Sequence, residues 1–206
     1  MPVTSEEHFV TGVYSAVDKA AAGGLDFLRS EGGIVATCKV GCCHCCQFHI
    51  LTSSAEAHAL GQYVKRELSE QQIDALRQRT RQWHDWDSSR PGRYPSESRH
   101  AQTDLSRYDH SCPLLVDGTC SAYPVRPVVC RTHFVRSPQR SCSEANNPES
   151  TEDAPVVLTS VVAAARPFSL EIRAHIENEG RDFSRSFMLL PQWLAIEMDW
   201  DFAIAH

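Results

Sequence analysis

The chain lacks any apolar run approaching the roughly 20 residues that a membrane-spanning helix needs. Its longest candidate, residues 156–165, is short and contains Thr159 and Ser160. No membrane association through such a helix is expected. The first ten residues, MPVTSEEHFV, hold Glu6 and Glu7 and lead into no apolar stretch, which argues against a secretory signal. Pro2 stands where myristoylation needs glycine. Basic charge is also scarce: 20 Lys and Arg are set against 26 Asp and Glu, for a net charge of −6. That balance is contrary to general nucleic-acid binding and to docking on an anionic membrane surface. Internal repeats, low-complexity tracts and a glycine-rich phosphate loop are missing as well. The expected setting is cytoplasmic, where thiols are kept reduced.

Cysteine, by contrast, is plentiful: there are nine in 206 residues. The remaining composition, 42% hydrophobic and 22% charged, is that of an ordinary soluble domain. Such a chain buries a core without help from disulfides. The odd count also prevents all nine thiols from pairing within one chain. Clustered cysteines in a reducing compartment read as metal ligands or redox groups.

The expected fold class is mainly α. One domain over residues 1–206 would carry an irregular cysteine-rich metal-binding lobe at 38–142 and one small β-hairpin. Flanking helices are expected at 5–30 and 153–200. Ser5 can cap the first, and Phe9, Val13, Ala16, Val17 and Ala20 recur at helical spacing. Gly23-Gly24 is expected to interrupt it and Gly32-Gly33 to end it. Ser53 or Ser54 with Glu56 marks the next helix, and Ser69 starts another that runs through Trp86. In that helix Arg77, Arg79 and Arg81 are expected to face mostly solvent. Residues 87–110 are polar and read as a loop. Leu114 to Cys120, with Asp117-Gly118 at its centre, reads as a hairpin. A helix over 155–178, bent at Pro167, and a last helix starting near Pro191 complete the reading.

The first cluster reads Cys38-Lys-Val-Gly-Cys42-Cys43-His44-Cys45-Cys46, five cysteines within nine residues. If a helix begins after Gly41, Cys42, Cys45 and Cys46 fall at i, i+3 and i+4 and share a face. Cys38 can fold back as a fourth donor, and Cys43 then points elsewhere. The second cluster is Cys112, Cys120, Cys130 and Cys142, spaced too widely for one helix face and suited to a loop that wraps a metal. Arg131, beside Cys130, is expected to offset thiolate charge, and Arg126 to orient a ligand loop or neutralise thiolates. Crowded thiolates repel, and a bound cation removes that cost.

At this point the chain resembles the YkgJ-type CxxCxxCC cysteine-cluster family, described as zinc- or iron-chelating. Cys38-x3-Cys42-x2-Cys45-Cys46, followed by Phe48, Leu51-Thr52 and Glu56, is similar to its first signature. Cys112-Pro-Leu-Leu, Gly118-x-Cys120, Tyr123, Arg126-Pro127 and Cys130-Arg131 are similar to its second. The resemblance spans roughly residues 38–142. It implies eight metal ligands, Cys38, Cys42, Cys45, Cys46, Cys112, Cys120, Cys130 and Cys142. Cys43 falls on a variable position of the motif.

Four thiolates suit a tetrahedral zinc ion, and four also hold an iron–sulfur cluster. The expected cofactor is iron, as a 4Fe-4S cluster or a bound ion, or zinc. Two functional classes follow. One is a metal-binding protein whose metal is structural, stored or handed on. The other is an iron–sulfur redox enzyme or electron carrier. His44, His49, Asp109, His110 and His133 lie near the cysteines in sequence, and a redox enzyme would draw its acid or base from such groups.

Overall fold

The computed structural model describes residues 3–39, 41–89, 110–145, 147 and 149–202. Its described residues form eight helices and two small two-stranded sheets, a mainly α fold. Helix α1 is Ser5–Gly32. Thr4, rather than Ser5, caps it by accepting the Glu7 N–H at 3.1 Å. Gly33 ends it in the left-handed region at φ 61°. Contrary to expectation, α1 runs unbroken through Gly23-Gly24. The packing explains this. A side chain on Gly24 would meet Val161 at 3.6 Å, so this turn of α1 lies close against the chain near residue 161.

Helix α2 is Ser54–Glu67, closed at its start by a capping box between Ser53 and Glu56. Helix α3 is Glu70–Ser89. Two short helices follow in the proline-rich region, α4 at Val128–Thr132 and α5 at Gln139–Ser143. Helix α6 is Thr159–Ala164 and α7 is Arg166–Asn178, with Pro167 in the first turn of α7. The expected single bent helix is thus two, and it starts later. Val157 is instead taken into an antiparallel bridge with Val135. Helix α8 is Leu190–Glu197, with proline in its first turn as its sequence predicts.

The predicted hairpin is present as β2 (Leu115–Val116) and β3 (Thr119–Cys120). Asp117 and Gly118 both have positive φ, 48° and 74°, the backbone that a tight two-residue hairpin turn demands. A second pair was not foreseen: β1 (Leu51–Ser53) lies antiparallel to β4 (Phe187–Leu189). Three-residue strands leave too little alternation to be read from sequence.

The core lies between α1, α2, α7 and α8, where Val10, Val13, Val17, Leu60, Val64, Ile172, Ile176 and Leu194 are buried. Trp193 fastens α8 to β1 through its indole N–H, which donates to the Thr52 carbonyl at 3.0 Å. Leu114, Ala122 and Val125 carry the cysteine-rich region into the same core. Among the described residues no helix is long and apolar enough to cross a membrane.

Candidate metal centre

Residues 34–39 run extended after α1 and are tied to the chain beyond α4. Thr37 donates its N–H to the Val135 carbonyl at 2.9 Å and its hydroxyl to Ser137 at 2.6 Å. Val135 in turn donates its N–H to Cys38 Sγ at 3.4 Å. Gly41, at φ 85°, makes the turn into Cys42. The expected helix after Gly41 is only a four-residue 3₁₀ turn, His44–Gln47. Cys42 lies ahead of it, so the three-sulfur helical face does not form. A 3₁₀ turn has three residues per turn, so the adjacent Cys45 and Cys46 point in different directions.

The second cysteine segment is joined directly to the first. Cys112 donates its N–H to the Cys46 carbonyl at 2.8 Å, and Ser111 donates its hydroxyl to Gln47 at 2.9 Å. Arg79 holds the same loop by donating Nε to the Pro113 carbonyl at 2.7 Å. Arginines at every second helical position suggest a solvated face, and only the tertiary structure assigns this one a partner. The β2–β3 hairpin then carries Cys120 back toward Cys112, since Cys120 pairs with Leu115. Cys130 rides on α4. Cys142 rides on α5, which packs against the 3₁₀ turn.

Glu56 positions α4. Its Oε1 accepts the Val128 N–H at 2.8 Å, at the start of that helix. Its Oε2 accepts from the Thr52 hydroxyl, the Ser53 N–H and the Ser53 hydroxyl, at 3.1, 3.2 and 2.8 Å. Glu56→Ala would strand several buried donors, each costing about 1–3 kcal/mol. The expected result is a urea midpoint lowered by the equivalent of at least 2 kcal/mol on that scale, with Glu56→Gln recovering part. An unchanged midpoint for Glu56→Ala would contradict this role.

Arg131 does not neutralise thiolates as expected. Its guanidinium is buried, donates to the Arg126 and Pro124 carbonyls, pairs with Asp18 at 2.6 Å and lies over the Tyr14 ring. The cation that favours the thiolate form of both Cys45 and Cys120 is Arg126. Arg126 is itself stacked on Tyr123, 3.8 Å from the ring centre.

All nine cysteines are free thiols, Cys142 buried and the others partly buried. A hydrogen bond from Cys46 holds Cys45 down to about 7 and drives Cys46 upward. Burial pushes Cys112 up to about 12 and also raises Cys38, Cys120, Cys130 and Cys142. Charge coupling weakens with distance, and it sorts the thiols into two overlapping electrostatic sets. Cys46, Cys112, Cys120 and Cys130 form one set: Cys112 and Cys120 act on Cys46 and on Cys130. Cys38, Cys42 and Cys142 form another, because Cys38 and Cys42 act on Cys142. Cys45 acts on members of both. Backbone contacts also cross the order of the sequence: the Cys112 N–H on the Cys46 carbonyl joins Cys46 to the second segment, and α5, which carries Cys142, packs against the 3₁₀ turn of the first.

This donor chemistry fits a soft or borderline cation such as zinc or iron. Burial disfavours each thiolate, and a cation in the cluster reverses that penalty. Among the described residues, however, no three His, Cys, Asp or Glu side chains are gathered closely enough to enclose an ion.

The nearby histidines differ. His49 stacks on Trp86 at 5.1 Å, and His110 lies against the same ring at 5.1 Å. His133 lies edge-on to Phe48 at 5.5 Å, and burial lowers its pKa, favouring the neutral ring. Asp109 lies outside the described residues. Comparison of the chain with protein-family models, with curated proteins and with solved structures finds no match.

Proposed function

We propose that this protein binds metal through clustered cysteine thiolates and that it is a member of the YkgJ-type cysteine-cluster family. Eight residues would hold the metal: Cys38, Cys42, Cys45, Cys46, Cys112, Cys120, Cys130 and Cys142. The observation that carries the reading is the position of Cys45. It lies within electrostatic reach of six of the other seven: Cys38, Cys46, Cys112, Cys120, Cys130 and Cys142. Two segments far apart in the chain thus meet at one short turn, where the Cys112 N–H donates to the Cys46 carbonyl. That is an expensive arrangement for uncompensated thiolates and a suitable one for a cation.

The proposed metal is iron, as a 4Fe-4S cluster or a bound ion, with zinc as the alternative. Zinc would supply a rigid tetrahedral cross-link, whereas an iron–sulfur cluster would supply a site for one electron. The chain's own contribution is the same in either case. The Cys112–Cys46 hydrogen bond holds the two segments together, and Arg79 ties the second to α3. Glu56 seats α4 and with it Cys130. Arg126 offsets charge on Cys45 and Cys120.

A second reading, an iron–sulfur redox enzyme or electron carrier, is favoured by the set Cys46, Cys112, Cys120 and Cys130. Four thiolates are the complement that one cluster takes. Elemental analysis and a visible spectrum of protein purified without air would test both. Iron and sulfide in stoichiometric amounts with broad visible absorption are expected from a cluster. Zinc in a colourless protein would assign the metal a structural role. Protein free of metal after anaerobic purification and after loading would refute the proposal.

A further inference from the structure

Away from the cysteines, His58 on α2 stands between two other helices. Its Nδ1 lies 3.3 Å from Oε2 of Glu197, the last residue of α8. Its Nε2 lies 3.4 Å from Oγ1 of Thr4, the residue that caps α1. One imidazole thus touches the start of α1 and the end of α8. Close packing fixes the carboxylate beside it. Gly61 follows His58 on α2, and a Cβ there would stand 2.7 Å from Glu197 Cβ. Helices α2 and α8 therefore meet at Glu197 with no room for a side chain on Gly61. The ring and the carboxylate are 27% and 18% exposed, so salt screens the pair less than a surface pair.

The two charge states of the ring use these partners differently. Neutral His58 with its proton on Nδ1 donates to Glu197 and accepts the Thr4 hydroxyl at Nε2. Protonated His58 donates from both nitrogens and faces Glu197 as an ion pair. Both contacts survive in either state, and the charge is what changes. We infer that His58 is a proton-operated clasp, which fastens the first turn of α1 and the last turn of α8 to α2 when its ring is charged and relaxes when the ring is neutral. The surrounding charges set the direction. Glu197 faces the ring from α8, Glu6 from the first turn of α1, and Lys65 from α2 itself. Glu6 also pairs with Arg181, beyond α7, and lies 3.6 Å from His175 Nε2. The Glu197 hydrogen bond raises the His58 pKa above its ordinary 6.5, although burial works against it. A histidine whose pKa rises on folding contributes its full stability below the unfolded pKa, and that contribution is lost as pH rises through the folded pKa. The clasp is therefore fully set below about pH 6.5 and releases above that value.

The clasp contains no cysteine and stands apart from the metal-binding reading. An NMR titration of the His58 ring in the whole reduced protein tests it, with the urea-unfolded chain as reference. The folded midpoint should lie above the unfolded one, and Glu197→Gln should bring it back to the unfolded value or below. His58→Gln supplies a hydrogen-bonding amide without the charge. Its unfolding temperature should fall below that of the wild type at about pH 5.5 and approach it at about pH 8.5. Comparing the two proteins at each pH cancels the response of the thiols, which they share. A folded midpoint at or below the unfolded one would overturn the clasp. So would a gap in unfolding temperature that is equal at both pH values, the result expected of a ring that only packs. Should His58→Gln fail to fold, the wild-type midpoint and its response to Glu197→Gln decide alone.

Discussion

Cys45→Ser is expected to abolish metal binding, whereas Cys43→Ser should retain the full metal content. The two residues are separated by His44 alone, so composition and general disturbance of the segment are nearly matched. Their surroundings are not. Cys45 acts on thiols of both sets, and its own pKa is held to about 7 by the Cys46 hydrogen bond, with Arg126 contributing. Its thiol is thereby available as an anion near neutral pH, and Cys45 is coupled to members of both groups. A serine hydroxyl there cannot supply a thiolate. Removing a group that merely supports a ligand typically weakens metal affinity about 10–100-fold, and loss of this ligand should exceed that. Cys43 stands before the 3₁₀ turn, where its carbonyl accepts the Cys46 N–H at 2.9 Å, a backbone role that serine can fulfil. Metal content measured after anaerobic purification decides the matter. Equal loss in both variants would show that the ligand assignment within residues 38–46 is wrong.

Stripping the metal with a chelator should lower the unfolding temperature strongly and loosen the cysteine-rich region first. Structural thiolate sites supply on the order of 10 kcal/mol of apparent folding free energy, comparable to the whole stability of a domain. The regular elements around the thiols are short: a four-residue 3₁₀ turn, two-residue strands β2 and β3, and the five-residue helices α4 and α5. Helices of that length have almost no stability of their own. By contrast α1 and α2 bury Val10, Val13, Val17, Leu60 and Val64 against each other and their neighbours. Hydrogen exchange after metal removal should therefore rise first in residues 34–50 and 110–145, while α1 and α2 stay protected. A melting curve indifferent to chelation would rule out a structural role for the metal.

Much of the fold follows from neighbouring residues. The capping box of Ser53 and Glu56, the stop at Gly33, the turn at Asp117-Gly118 and the proline in the first turn of α8 all rest on interactions within a few positions. Such signals survive in the sequence because the partners travel together. The continuous α1 is an instructive failure. Gly23-Gly24 has low helix propensity, yet the close approach of Val161 and the buried stripe on either side keep the helix intact. The β1–β4 pair was illegible for a different reason: its two strands lie far apart in the chain, and each is only three residues long.

The candidate site divides along the same line. By itself the sequence determined that there would be two thiol-rich segments, one after a long helix and one around a hairpin. Only the tertiary structure decided which cysteine-bearing segments meet. The Cys112–Cys46 and Ser111–Gln47 hydrogen bonds close one segment onto the other, and α5 returns Cys142 to the first. Tertiary contacts likewise turned Arg131 from the thiolates toward Asp18 and left Nε2 of His133 without a partner. The physical reason is that charge coupling and coordination depend on distance in space, and side chains brought together by long-range hydrogen bonds leave no spacing rule in the chain.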